Sequence, residues 1–225
     1  MRFKQYLQER LKPKEVPTLD EINSIIQKDC KPYLKLLKGK EPLYRGVNSP
    51  DVFGKKNTKK DRIPRGSSNY EFGFINQWLI KNGHNNRKDN IMICTSDYKR
   101  AQRFGIVCYV FPIGKISYTW IDAKDFNENN WSTGWYSTFI IDYLENVDFN
   151  LNNFEDNPSM KEYEKNYNYK MSKPFADYFH TDENFNTAYE KGYEIWFKCK
   201  SYYYIMLDYL DNNSVFWKNG KFEGV

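Results

Sequence analysis

The sequence predicts an α+β fold on three observations. Helical periodicity is concentrated in the first forty residues. Short β-prone runs recur through the rest without alternating with helices, and the apolar content is carried largely by rings. Of 225 residues, 40% are hydrophobic and 18% are aromatic, so the core has to be built on Tyr, Phe and Trp. A chain of this length can bury that core as one domain with an elaboration.

The elements follow in order. Phe3, Tyr6, Leu7 and Leu11 stand at helical spacing before Pro13 and predict a short amphipathic helix. Thr18 with Glu21 forms a capping box; behind it Ile22, Ile25, Ile26, Tyr33, Leu34 and Leu37 share one face until Gly39, and Pro32 predicts a kink or break. Residues 42–47 read as a short strand ending at a turn, with Arg45 beside a flexible Gly46, and a basic loop follows. Residues 69–81 place Phe72, Ile75, Trp78 and Leu79 at helical spacing. Residues 90–95 predict a strand, Ser96 and Asp97 cap a helical turn running to Phe104, and Gly105 ends it. Residues 106–111 are a β-prone run stopped by Pro112 and Gly114. Residues 193–199 and 202–207 are strands, and residues 215–222 form a hairpin through Asn219 and Gly220. The domain plan is N-terminal helices over 1–41, a core over 42–121 and 191–225, and an inserted acidic segment of short helices and loops over 122–190.

No run of eighteen apolar residues exists, and the opening residues lack the apolar stretch of a secretory signal; the expectation is a protein of a cytoplasm with no membrane contact. Cys30, Cys94, Cys108 and Cys199 are widely spaced and read as reduced, buried thiols, and two histidines are too few for a histidine-rich metal centre. No metal is expected, and chemistry has to rest on carboxylates, hydroxyls and arginines. The net charge of +5 is unevenly spread. Residues 142–190 hold eleven acidic and four basic residues, a balance of −7, so the remainder carries +12. Its densest part, residues 54–65, has Lys55, Lys56, Lys59, Lys60, Arg62 and Arg65 around Asp61. Such a strip can neutralise the phosphates of a nucleic acid or a dinucleotide, or remain a solvated loop.

Three short motifs carry chemistry. Leu43-Tyr44-Arg45-Gly46 ends a strand; Ile93-Cys94-Thr95-Ser96-Asp97 ends another and runs on to Ala101 and Phe104-Gly105; Tyr193-Glu194-Ile195-Trp196 opens a third. In this order they resemble the Arg, Ser-Thr-Ser and Glu motifs of mono-ADP-ribosyltransferases of the R-S-E class. The resemblance implies an ADP-ribosyltransferase-like split β-sheet core and NAD as co-substrate. It implies Glu194 as the catalytic carboxylate, with Arg45, Cys94, Thr95, Ser96, Phe104 and Tyr109 around NAD. An Arg fork can hold a phosphate, a carboxylate can oppose charge developing on a ribose, hydroxyls can orient Glu194 or the ribose, and a ring can stack on nicotinamide. Arg62, Arg65, Arg87 and Glu190 are the candidates for contacts to the acceptor.

Two positions depart from the family pattern. Cys94 stands where the first Ser is usual, and Gly192 stands two residues before Glu194, where protein-modifying members often carry Glu or Gln. With the basic strip, the second departure tilts the expected acceptor toward RNA or DNA over protein; NAD hydrolysis is a further outcome. The opening residues and the Lys, Asn and Tyr bias also resemble uncharacterised tailed-phage proteins, which implies a host-modifying or toxin role in a bacterial cytoplasm and an antitoxin or host protein as partner. The alternative is a non-enzymatic nucleic-acid or protein-binding phage protein that uses the basic residues 55–65.

Overall fold

The structure, a computed structural model, describes residues 16–48, 50–59, 76, 79, 84, 90–122 and 179–224. The helix expected over residues 3–11, most of the one over 69–81 and the body of the inserted segment lie outside the described residues. Asn76 and Leu79 are helical and buried, in keeping with the periodicity around them.

In chain order the described elements are α1 (Leu19–Asp29), α2 (Lys31–Leu37), β1 (Tyr44–Val47), β2 (Phe53–Asn57), β3 (Met92–Cys94), α3 (Tyr98–Gln102), β4 (Ile106–Pro112), β5 (Ser117–Ile121), β6 (Phe179–Thr181), α4 (Phe185–Lys191), β7 (Ile195–Lys198), β8 (Ser201–Met206), α5 (Leu207–Asn212), β9 (Val215–Lys218) and β10 (Lys221–Gly224). The fold is α+β. The strands form two antiparallel four-stranded sheets, β1-β4-β8-β2 and β3-β7-β5-β6, with the hairpin β9-β10 beside them.

The capping box forms as its residues dictate: Glu21 N donates to Thr18 Oγ1 at 3.3 Å and Thr18 N donates to Glu21 Oε2 at 2.8 Å. Of the kink or break expected at Pro32 the structure has the break, at Cys30 between the two helices. Proline sits in the first turn of α2, where its missing N–H has no helical partner to lose. Both helices turn Ile22, Ile26, Tyr33 and Leu37 inward. Tyr33 joins the two sheets: its ring meets Phe111 of β4 and Phe197 of β7 edge-on at 6.2 and 5.5 Å, and its hydroxyl accepts from Leu43 N at 2.8 Å. The hairpin closes the far side with Trp217 and Phe222 against Phe111. Its turn uses Asn219 and Gly220 at φ 51 and 84°, the left-handed pair a two-residue hairpin requires.

The structure corrects several sequence-based expectations. The basic loop begins as a strand: β2 pairs with β8 over residues 53–57 and is the edge of its sheet. Lysines suit an edge, where their stems cross the neighbouring rings and their charges reach water; Lys55 Nζ lies 5.5 Å from the Tyr203 ring and Lys56 Nζ 5.2 Å from Tyr204. Gly46 is not a flexible turn residue. It pairs with Val107 inside β1, and a Cβ there would stand 2.4 Å from Ala101 O, so it is the gap that lets α3 pack on the strand. The stretch read as an insertion contributes β6, which pairs with β5, and α4. The helix α5 had no sequence signal of its own within the apolar text around it.

Candidate functional site

A short backbone bridge links the two sheets. Tyr44 N donates to Thr95 O at 2.7 Å and Thr95 N donates to Tyr44 O at 3.1 Å, an isolated antiparallel bridge between β1 and the residue after β3. The first two motifs are thereby adjacent in space although fifty residues apart in the chain. The third arrives through β7, which pairs with β3 with Cys94 opposite Ile195. The pairing carries on one residue further on the other edge, where Ile121 N donates to Glu194 O at 3.4 Å.

Arg45 is half-buried in β1. One guanidinium nitrogen, Nη1, donates to Ile93 O on the free edge of β3, and Cζ lies 5.9 Å from the Tyr202 ring. Arg45 thus caps one edge of β3 while Glu194 precedes the strand on its other edge. The Cys94 thiol lies between them. Burial pushes it well above its ordinary range, the Arg45 charge opposes that shift, and the neighbouring acidic groups Cys199 and Glu194 add to it. Cys94 is 2% exposed and its Sγ donates to Ile195 O at 3.4 Å, so it is a neutral core thiol at this position.

Thr95 and Ser96 act on the segment that leads to Glu194. Thr95 Oγ1 donates to Gly192 O at 3.0 Å and accepts from Asp97 N at 3.0 Å; Ser96 Oγ donates to Tyr189 O. The hydroxyl protons expected on the Glu194 carboxylate or a ribose go instead to two backbone carbonyls at the end of α4, and they orient the carboxylate through the chain that carries it. Gly192 ends α4 at φ 68°, and a Cβ there would meet Asp97 Cβ at 3.2 Å. The departure at 192 has this structural cause: the backbone is left-handed and Asp97, the N-cap of α3, occupies the adjoining space.

Glu194 is a buried carboxylate, 7% exposed, and Trp196 Nε1 donates to its Oε1 at 2.6 Å. Sequence reasoning missed Trp196. The signal was present in the period of two, which places residues 194 and 196 on one face of the strand.

Other expected site residues stand elsewhere. Tyr109 pairs with Tyr44 and stacks on it at 5.3 Å, on the face of its sheet opposite Arg45, which pairs with Cys108. It is core packing there, for the period of two sends neighbouring side chains to opposite faces. Phe104 follows α3 and is 60% exposed. Glu190 points outward from α4 and is paired with Lys40 at 3.0 Å. Arg62, Arg65 and Arg87 lie outside the described residues. Among the described residues, no group of three His, Cys, Asp or Glu is arranged to hold a metal ion, and no helix is long and apolar enough to cross a membrane.

No family model, curated protein or solved structure matches this chain.

Proposed function

We propose that the chain is an NAD-dependent mono-ADP-ribosyltransferase whose two sheets form a split core of that family's kind. The observation that carries this reading is the Tyr44–Thr95 bridge, because it gathers the Arg, Thr-Ser and Glu motifs around one strand end, with Arg45 and Glu194 on opposite edges of β3.

In the proposed reaction the bond between ribose C1′ and the nicotinamide nitrogen breaks. The electron pair leaves with neutral nicotinamide, and positive charge develops at C1′. A lone pair of the acceptor forms the new bond to C1′ and the acceptor's proton passes to solvent. The Glu194 carboxylate opposes the developing charge, and Trp196 and the held α4–β7 turn keep it in place. Arg45 supplies the positive charge for a pyrophosphate, and Tyr202 beneath its plane restricts its swing.

For the acceptor, we favour nucleic acid. Lys55 is exposed on the edge strand β2, and Lys59 and Lys200 are exposed just beyond its end, where Thr58 N donates to Lys200 O at 3.1 Å. The alternative of a binding protein without activity draws support from the structural contacts of Arg45. Nicotinamide release from NAD separates the two: wild type releases it and Glu194→Gln does not, with nucleic-acid binding retained in both. A wild-type protein that releases none, with RNA, DNA or protein present, overturns the transferase reading. Labelled NAD incubated with lysate, then divided between nuclease and protease, identifies the acceptor class by which treatment removes the label.

A further inference from the structure

The indole of Trp196 has almost no freedom. Trp196 is fully buried, at 0% exposure. Its backbone pairs with Ile93 on one side and Thr119 on the other, and the Phe179 ring lies 5.9 Å away at a 60° tilt. A buried indole N–H requires an acceptor, and here the acceptor is the Glu194 carboxyl oxygen Oε1 at 2.6 Å. The two residues lie two apart on one face, so the strand itself sets their separation. Glu194 stands just before the strand, and its carbonyl still accepts from Ile121 N at 3.4 Å, so the pairing of β5 with β7 reaches it.

We propose that Trp196 is a positioning residue for the reaction: its N–H fixes the orientation of the Glu194 carboxylate, and the strands around the indole transmit that rigidity to the reacting centre. The inference rests on the reading of Glu194 as the catalytic carboxylate. Trp196 is fully buried and acts through Glu194. Removing its N–H therefore lowers the rate of the chemical step and leaves NAD binding unchanged.

The test uses the full chain, with nicotinamide release measured against NAD concentration for wild type, Glu194→Gln and Trp196→Phe. Trp196→Phe is expected to lower kcat roughly 10- to 100-fold, with KM for NAD within about twofold of wild type. A phenylalanine leaves a gap at a fully buried site, so the second variant carries β-(3-benzothienyl)alanine at position 196, which keeps the bicyclic ring and lacks the N–H. The same fall in kcat is expected of it. A wild-type kcat from the benzothienyl protein, or a fall in kcat matched by a rise in KM, overturns the inference while an inactive Glu194→Gln leaves the transferase reading standing. A wild type that releases no nicotinamide overturns both.

Discussion

Thr95 and Gly192 are joined by a buried hydrogen bond, Thr95 Oγ1 to Gly192 O at 3.0 Å, so the strand end of the second motif grips the turn that delivers Glu194. The same hydroxyl accepts from Asp97 N at 3.0 Å and so also starts α3. One side chain thus sets the geometry of two elements.

Thr95→Val keeps the shape and removes both bonds. Thr95 is 5% exposed, so the abandoned carbonyl and amide lose their partner in a dry place. The expected loss is about 1–3 kcal/mol in urea denaturation, with the slope of the transition unchanged. A loss below about 0.5 kcal/mol would mean that water reaches these groups.

Gly192→Ala tests the left-handed end of α4. At φ 68°, with Asp97 Cβ 3.2 Å from the new methyl, the substitution is expected to destabilise by about 1–2 kcal/mol. Gly114→Ala, at φ 73° with nothing within 4 Å, isolates the backbone part of that cost. If the two variants melt alike, the Asp97 contact contributes nothing.

Arg45→Lys keeps the positive charge and loses the planar fork that lies 5.9 Å from the Tyr202 ring centre. On the transferase reading, KM for NAD rises roughly tenfold while kcat changes less. An unchanged KM would assign Arg45 to the seam between the sheets alone.

Alkaline pH should unfold the protein. Burial pushes the Cys30 and Cys108 thiols from an ordinary 9.0 up to about 12, and the Tyr44 hydroxyl from 10.0 up to about 12. A group whose folded value is raised stabilises the fold fully below its ordinary value and loses that contribution as pH climbs to the folded one. Stability is therefore expected to be level up to about pH 9 and to fall steadily toward pH 12 for these groups, read by urea titration at successive pH values. For the same reason iodoacetamide should label the four buried thiols slowly in native protein at pH 8 and quickly once it is denatured.

Elements with a local chemical signature were legible in the sequence. Thr18 with Glu21 fixed the start of α1, and Asn219-Gly220 fixed the hairpin, because each rests on bonds and dihedrals within a few residues. β2 was not legible: Gly54, Lys55, Lys56 and Asn57 have no apolar alternation, and they become a strand because β8 offers an edge of tyrosines. β6 was hidden for the same reason, since its three residues acquire meaning only from β5. In the candidate site, Arg45 bonds to β3 on one edge, Thr95 follows that strand, and Glu194 precedes β7 on the other edge. Which way each hydroxyl points depends on the end of α4, about ninety residues downstream of Ser96, and no spacing within the motif contains it.

The hydrogen bonds between Asn23 and Phe222 bear on how the chain is made. Asn23 Nδ2 donates to Phe222 O and Phe222 N donates to Asn23 Oδ1, both at 2.8 Å, across 199 residues. On a translating ribosome, α1 is synthesised long before β10 exists. At about 5–20 residues per second that interval is on the order of 10–40 s, during which the helix has no hairpin to dock against. Until β10 emerges, Asn23 lacks both of these partners, so docking of the hairpin on α1 is a late step of folding during synthesis.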